Sequence, residues 1–217
     1  MTLKTHTHPP KSGGKPKSIV FLLHGYGANG ADLLGLAPEW ADELPDTVFL
    51  SPDAPFPCEM GPFGFQWFSL MDRSPALMLE GAERASPILN NYIDQMLQQY
   101  DLAGDKAALV GFSQGTMMSL YVGPRRKDKL AGILGYSGAL LGAETLGDPA
   151  IQKMPIHLIH GDLDTVVPLD SYYAAHQTLQ ANGFPVTGSV TQGLPHGIDG
   201  QGIADGGEFL SRILSSD

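Results

Sequence analysis

The sequence has one cysteine, few basic residues and no long apolar run. Cys58 has no partner for an intrachain disulfide, which suits a reducing compartment, and we therefore expect a cytoplasmic protein. Lys and Arg number 13 against 23 Asp and Glu, a net charge of −10 that repels phosphate backbones and makes nucleic acid an unexpected partner. Because no window approaches the roughly 18 consecutive apolar residues that span a bilayer, no integral membrane segment is expected.

The first residues differ in composition from the rest of the chain. Residues 1–17 are rich in Pro, Gly and Lys and contain no apolar core of a secretory signal. We predict that they form a flexible N-terminal lead-in. The remaining residues, 18–217, have the size of one domain with a single large core, and they are predicted to form one.

Short apolar segments alternate with segments of helical spacing along this domain. This alternation predicts an α/β fold in which a mostly parallel sheet is covered by helices on both faces. Such sheets bind ligands at the carboxyl ends of their strands, so functional residues are sought there. The predicted strands are 18–23, 47–50, 107–112, 130–136, 155–159 and 186–191, and the predicted helices are 31–44, 86–100, 116–122, 170–181 and 206–214.

One long stretch, residues 54–79, lacks a helical pattern and is rich in aromatic residues and Pro. Loops of this length in a compact domain are usually functional or disordered, and the aromatic content favours function. We therefore expect some of its large apolar side chains to form an acyl-binding pocket and the others to join the core. The candidates for substrate binding are Phe63, Phe65, Trp67, Phe68 and Met71.

Residues 111–115 match the pattern Gly-x-Ser-x-Gly between a predicted strand and a predicted helix. In a nucleophile elbow, this pattern turns the chain sharply and exposes a strained serine, so Ser113 is the candidate nucleophile. The alternative is a strand-to-helix turn without chemistry. A similar segment at 135–139 carries Ser137 but lacks the second glycine.

A serine needs a base to remove its proton and an acid to orient that base. Among seven histidines, His196 lies in the loop that directly follows the last predicted strand, where a base would be required. Asp162 and Asp164 follow the preceding strand, and their spacing does not choose between them, because one could instead cap the next helix. The order Ser, Asp, His along the chain is the order of α/β-hydrolases.

An oxyanion hole would require two backbone donors at the same sheet edge. The N–H of Gln114, after the nucleophile, and that of Tyr26, in the first strand-to-helix loop, are the candidates. The glycines of that loop fit a dinucleotide-binding pattern only by letter. His157 and His160 point to opposite faces of a strand, and Cys58 lies outside any elbow, so no metal, cofactor or cysteine nucleophile is expected.

These motifs resemble those of the carboxylesterase, lysophospholipase and acyl-protein thioesterase family of small α/β-hydrolases. The resemblance implies Ser113 as nucleophile, Asp164 as the acid, His196 as base, and the N–H groups of Tyr26 and Gln114 as oxyanion hole. It also implies a small acyl ester or thioester substrate cleaved through an acyl-enzyme. The matching segments are 23–27, 66–68, 111–115, 160–168 and the loop around His196.

The sequence departs from the family pattern beside the site. Tyr26 stands where leucine is frequent, Pro195 where glycine commonly precedes the histidine, and Gly197 where serine often follows it. These differences leave the acyl length and the choice between ester and thioester open. A non-catalytic ligand-binding protein of the same fold and a peptidase are the alternative functions, and no oligomeric state is predicted.

Overall fold

A computed structural model describes residues 3–215 and consists of nine strands and six α-helices within that range. The strands are β1 (Thr5–His8), β2 (Ser18–Leu23), β3 (Thr47–Pro52), β4 (Phe56–Pro57), β5 (Phe65–Gln66), β6 (Ala107–Phe112), β7 (Gly132–Tyr136), β8 (Ile156–Gly161) and β9 (Val186–Thr191). The helices are α1 (Gly30–Leu34), α2 (Ala37–Trp40), α3 (Pro75–Tyr100), α4 (Gln114–Arg125), α5 (Leu169–Ala181) and α6 (Gly200–Leu214).

Seven strands form one sheet in the order β1-β3-β2-β6-β7-β8-β9. All neighbouring pairs are parallel except β1 with β3, and β4 and β5 form a separate short hairpin. The prediction of an α/β-hydrolase fold with a mostly parallel sheet is therefore confirmed. Since the strands are parallel, β6, β8 and β9 present their carboxyl ends at the same edge, and the candidate site residues follow those ends.

Helices cover both faces of the sheet, and alternate residues of each central strand serve different faces. In β2, Ile19 and Phe21 belong to the core on the face that α3, α4 and α5 cover, whereas Val20 and Leu22 belong to the core on the face that α1, α2 and α6 cover. In a strand that is buried on both faces, every side chain points into a core, so nearly all positions are apolar. This explains why β2 reads as a continuous apolar run.

The N-terminal segment corrects one expectation. Residues 1–17 were expected to be flexible, but Thr5–His8 forms the antiparallel edge strand beside β3. An edge strand is held by backbone hydrogen bonds and needs no apolar alternation, so its polar sequence gave no signal. His6 also contacts the buried Asp53, with 3.1 Å between Nε2 and Oδ1. Residues 1 and 2 of this expected lead-in, and 216 and 217 of the expected domain, lie outside the described residues.

Helix boundaries also differ from those expected. The helix expected from residue 86 begins at Pro75 and contains Pro87 in its interior, so the irregular stretch after β3 ends at Ser74. Proline at the first helical turn forfeits no hydrogen bond, and Pro75 supplies that start. The single helix expected over 31–44 is two short ones, and Pro38 lies in the first turn of the second.

Within residues 3–215, no helix has both the length and the apolar character needed to cross a bilayer.

Candidate active site

Ser113 occupies a strained backbone position between β6 and α4. Its φ is 54° and its ψ is −114°, a conformation that L-residues with side chains rarely adopt. The Ser113 N–H donates to the carbonyl of Tyr136, at the end of β7, over 2.9 Å. Such strain persists only where the surroundings hold it, and here it places the serine at the carboxyl edge of the sheet.

The two glycines of the elbow are required by close backbone packing. A Cβ at Gly115 would overlap the carbonyl oxygen of Leu23, in β2, and one at Gly111 would overlap the backbone nitrogen of Thr116. Neither neighbour is a flexible side chain that could move aside. The Gly-x-Ser-x-Gly pattern is thus explained by sterics, which let α4 start directly against the sheet.

Thr116, three residues after the serine, fastens the elbow to two strands. Its Oγ1 lies 2.7 Å from the carbonyl oxygen of Gly111 and 2.7 Å from that of Tyr136. The side chain is buried, and its methyl group fills the space beside Gly135 and Gly138. Sequence reasoning missed this residue, although a hydroxyl in the first turn after the elbow was a visible signal.

Asp164 holds His196 on the opposite side of the site. Its Oδ2 lies 2.6 Å from His196 Nδ1, and its Oδ1 accepts the N–H groups of Val166 (2.9 Å) and Val167 (2.8 Å). Burial acts most strongly on this carboxyl and would raise its pKa. The hydrogen bonds from His196, Val167 and Val166 together outweigh burial and lower the pKa of Asp164. The acid is therefore kept ionised beside the imidazole.

Asp162 has a different task, which distinguishes the two acids left open by spacing. Its Oδ1 accepts the N–H of Gly193 over 2.6 Å, in the loop that leads to His196. The carbonyl of Leu194 in the same loop accepts the N–H of Leu163 over 3.0 Å. Asp162 thus fixes the loop, whereas Asp164 fixes the imidazole.

Ser113 and His196 line one cavity of about 380 Å³. The imidazole of His196 packs beside the ring of Phe112, with 4.8 Å between the centroids. No direct hydrogen bond joins the serine to the imidazole in the described part of the chain. The other lining residues are Gly25, Tyr26, Ala28, Leu70, Arg73, Met78, Met117, Ala139, Val166, Val167, Pro168 and Ser171.

Gln114 contributes through both its backbone and its side chain. It is the first residue of α4, so its N–H is one of the donors that a helix start leaves without an intrahelical partner. The buried side chain accepts the N–H of Trp67 and donates to the carbonyl of Phe68, each over 2.8 Å. The residue after the nucleophile therefore also holds the aromatic loop in place.

The loop that carries Tyr26 is anchored by the buried His24. Its Nε2 accepts the N–H of Ala54 over 2.9 Å, so the ring proton is on Nδ1 and is donated to the Gly25 carbonyl over 2.7 Å. Burial, opposed by that bond, lowers the pKa of His24 and keeps it neutral. Trp67 Nε1 donates to the His24 carbonyl over 3.0 Å. Tyr26 lies two residues after His24 and lines the cavity.

The five apolar residues expected to bind substrate lie elsewhere. Trp67 and Phe68 are buried in the core, and Phe65 packs against it. Phe63 and Met71 are 87% and 69% exposed, and none of the five lines the cavity beside Ser113. The expectation of a pocket from these residues is corrected, because the two largest buried aromatics of the set join the core, where the Gln114 side chain hydrogen-bonds their backbone.

The two histidines of β8 face different surroundings. The His157 ring stacks on Phe209 of α6 at 5.4 Å, whereas His160 Nε2 donates to the Val167 carbonyl over 2.8 Å. Among residues 3–215, no three or more His, Cys, Asp or Glu side chains are grouped so that they could hold a metal ion.

The chain is similar to proteins named as esterases and acyl-protein thioesterases. Esterase YpfH of Escherichia coli K12 is 27% identical over 194 residues, which are 89% of this chain and 82% of the relative. Acyl-protein thioesterase 1 of Gibberella zeae is 26% identical over 213 residues, 91% of each chain. The crystal structure of esterase PE8 is 39% identical, covers 99% of this chain and 100% of its own, and superposes with a TM-score of 0.93.

A family model agrees with these relatives. The model described as Phospholipase/Carboxylesterase matches residues 9–214, which include the elbow, both acids and His196. With the fold and the arrangement at the sheet edge, this match shows that the chain belongs to the phospholipase/carboxylesterase family of α/β-hydrolases.

Proposed function

We propose that this protein is a serine hydrolase that cleaves carboxylic ester or thioester bonds through an acyl-enzyme. The observation that carries the proposal is that His196 contacts the ionised Asp164 over 2.6 Å and lines the same cavity as the strained Ser113. A nucleophile, a base and an orienting acid at one sheet edge are what acyl transfer by a serine requires. Membership of the family supports the same reaction class.

In this mechanism, His196 removes the proton of Ser113 through Nε2 while the serine oxygen attacks the acyl carbonyl. Asp164 holds Nδ1 protonated, so Nε2 is free to accept, and its charge stabilises the imidazolium that forms. His196 then protonates the leaving alcohol or thiol, and water repeats the sequence to release the acid. In free enzymes, catalytic hydrogen bonds are often long and shorten only when substrate binds. The absence of a hydrogen bond between Ser113 and His196 in the described residues fits this behaviour.

The negative oxygen of the tetrahedral intermediate would rest on the N–H groups of Gln114 and Tyr26. Gln114 supplies its N–H from the start of α4, where the helix dipole also favours negative charge. Tyr26 supplies its N–H from a loop that His24 fixes on both sides. Loss of one such donor costs about 3 kcal/mol in the transition state, so the anchoring of both segments matters as much as the residues themselves.

A fluorophosphonate probe and p-nitrophenyl butanoate test this proposal. Wild type should be labelled and should hydrolyse the ester, and Ser113→Ala should do neither. Ser137→Ala is the matched control, because Ser137 is also a buried serine of positive φ (47°) at a strand end, and its hydroxyl has no hydrogen-bond partner within residues 3–215. Full turnover or labelling by Ser113→Ala would contradict the proposal, and so would no labelling of folded wild type.

Parallel assays on butanoyl esters, butanoyl thioesters and the matched amide separate the chemical classes. We expect turnover of the first two and at least about a hundredfold less of the amide, because resonance stabilises the amide and its nitrogen must be protonated before it can leave, whereas alkoxide and thiolate leave more readily. A cytoplasmic location stays a prediction from the cysteine content.

A further inference from the structure

The cavity beside Ser113 combines apolar walls with one unusual polar group. Its walls include Leu70, Met78, Met117 and Val167, which offer no polar side-chain atoms that could bind a charge. Among the described residues that line it, Arg73 is the only Arg, Lys, Asp or Glu. A ligand that covers these apolar walls would also exclude water from the guanidinium, which would strengthen the attraction between the guanidinium and an anion.

Arg73 has no protein partner that would account for its position. Within residues 3–215 it takes part in no hydrogen bond, ion pair or cation–π contact, and its side chain is exposed. Other arginines are engaged: Arg84 pairs with Glu80, and Arg126 pairs with Asp94, each over 2.6 Å. The cation in the cavity is therefore available for a ligand.

The neighbouring acid does not neutralise this cation. Asp72 accepts the N–H of Ser74 over 2.8 Å and lines a separate groove, together with Arg84 and Phe56. Asp164, the acid of the site, is taken up by His196 and the two valine amides. In a chain of net charge −10, a free arginine at the candidate catalytic cavity is thus a local reversal of sign.

We propose that the substrate of this hydrolase carries a carboxylate, in addition to the bond that is cleaved, and that Arg73 binds it. The planar guanidinium matches a carboxylate in two parallel hydrogen bonds, which a lone apolar pocket could not offer. The apolar walls would contact the carbon chain between the two groups. This inference rests on the proposed function, since it names the substrate class for the same cavity.

Matched p-nitrophenyl esters test the carboxylate directly. The pentanoate and the glutarate monoester differ only in a terminal methyl group replaced by a carboxylate, and 3-carboxy-4-nitrophenyl pentanoate carries the carboxylate on the leaving group. The measured quantity is the ratio of kcat/KM for each anionic ester to that for the neutral one. In Arg73→Gln we expect this ratio to fall at least about fivefold for one of the two anionic esters, mainly through KM.

Two further variants separate a specific contact from the general field. Arg73→Lys keeps the charge and should retain part of the ratio. Lys127→Gln removes the same charge near the opposite, amino-terminal edge of the sheet, where Lys127 lines another groove with Gly104, and should leave both kcat/KM ratios unchanged. Raising the salt concentration should lower the wild-type ratio and leave that of Arg73→Gln nearly constant.

The outcomes separate this inference from the proposed function. The inference is overturned if neither ratio falls by about fivefold in Arg73→Gln, or if Lys127→Gln lowers the ratios equally. If the neutral pentanoate ester is cleaved by wild type and not by Ser113→Ala in these cases, the proposed function stands alone. If the neutral ester is cleaved without Ser113, both are wrong.

Discussion

The Asp162 carboxylate accepts the backbone N–H of Gly193 over 2.6 Å, and so it ties the end of β8 to the loop that carries His196. Two residues later, Asp164 contacts His196 itself over 2.6 Å. The first acid acts on the loop and the second on the imidazole. Their requirements differ, because a backbone N–H needs only an acceptor, whereas an imidazolium is stabilised by negative charge.

Asparagine at each position should reveal this difference. Asp162→Asn keeps a carbonyl acceptor for Gly193, and we expect kcat to fall less than about tenfold. Asp164→Asn removes the charge and favours the wrong imidazole tautomer, so kcat should fall by about 10³–10⁴-fold. Steady-state kinetics on a p-nitrophenyl ester measure both. An equal loss in the two variants would contradict the separate roles, and Asp162→Ala should lose more than Asp162→Asn.

The packing of the elbow against β2 predicts the effect of a single methyl group. Gly115→Ala would place its Cβ on the Leu23 carbonyl, and we expect the free energy of unfolding to fall by more than about 3 kcal/mol. Gly197→Ala, beside His196, meets nothing within 4 Å and should change stability by less than about 0.5 kcal/mol. Urea denaturation compares the two. A stable, fully active Gly115→Ala protein would show that the elbow is packed differently.

The Thr116 hydroxyl should matter to both stability and turnover. Thr116→Val preserves the shape but leaves the carbonyl of Gly111 without this hydrogen bond, at a cost of about 1–2 kcal/mol. Because Thr116 and Ser113 share the Tyr136 carbonyl, kcat should also fall. Thr116→Ser keeps the hydroxyl and should retain kcat, with a loss of about 1 kcal/mol for the buried methyl group. If the serine variant loses kcat as the valine variant does, the hydroxyl is not the cause.

The buried His24 predicts a loss of stability in mild acid. Burial lowers its pKa, so between that value and the unfolded value of about 6.5 the unfolded chain binds more protons than the folded one. The free energy of unfolding should therefore fall as the pH drops below about 6.5. Urea denaturation from pH 5 to 8 should show a smaller slope in His24→Gln than in wild type.

His176→Gln is the control for this slope, because His176 lies half-buried on α5 and holds no loop of the site. It should keep the wild-type dependence on pH. Part of the slope should remain in His24→Gln, since burial also lowers the pKa of His157. An unchanged slope in His24→Gln would mean that His24 is not held neutral.

Much of the fold and of the candidate site could be predicted because the signals are local. The central strands are short apolar runs. Ser113 directly follows β6 and His196 lies in the loop after β9, so the parallel sheet brings them to one edge. The choice of Asp164 over Asp162 had to come from family resemblance. Which acid contacts His196 depends on how the loop after β9 folds back onto the end of β8. One contact that sets this fold is the hydrogen bond from Gly193 to Asp162, 31 residues apart in the chain.

The misses have physical causes of the same kind. Trp67 and Phe68 were expected to line the pocket, but both are buried in the core. Their backbone is hydrogen-bonded there by Gln114, which lies more than 40 residues further along the chain. Arg73 carried no pattern of its own, since an exposed arginine in a loop is ordinary until the fold places it in the cavity. The start of α3 was obscured by Pro87, which the helix accommodates in its interior.

The sheet's outermost strand bears on how the protein can be handled in the laboratory. Removing Thr5–His8, or attaching a bulky fusion partner just ahead of it, would expose the backbone hydrogen-bonding groups of the apolar strand β3 at the edge of the sheet. An exposed edge strand of this kind can pair with strands of other molecules, which promotes aggregation. Affinity tags and surfaces for immobilisation should therefore be kept away from residues 5–8.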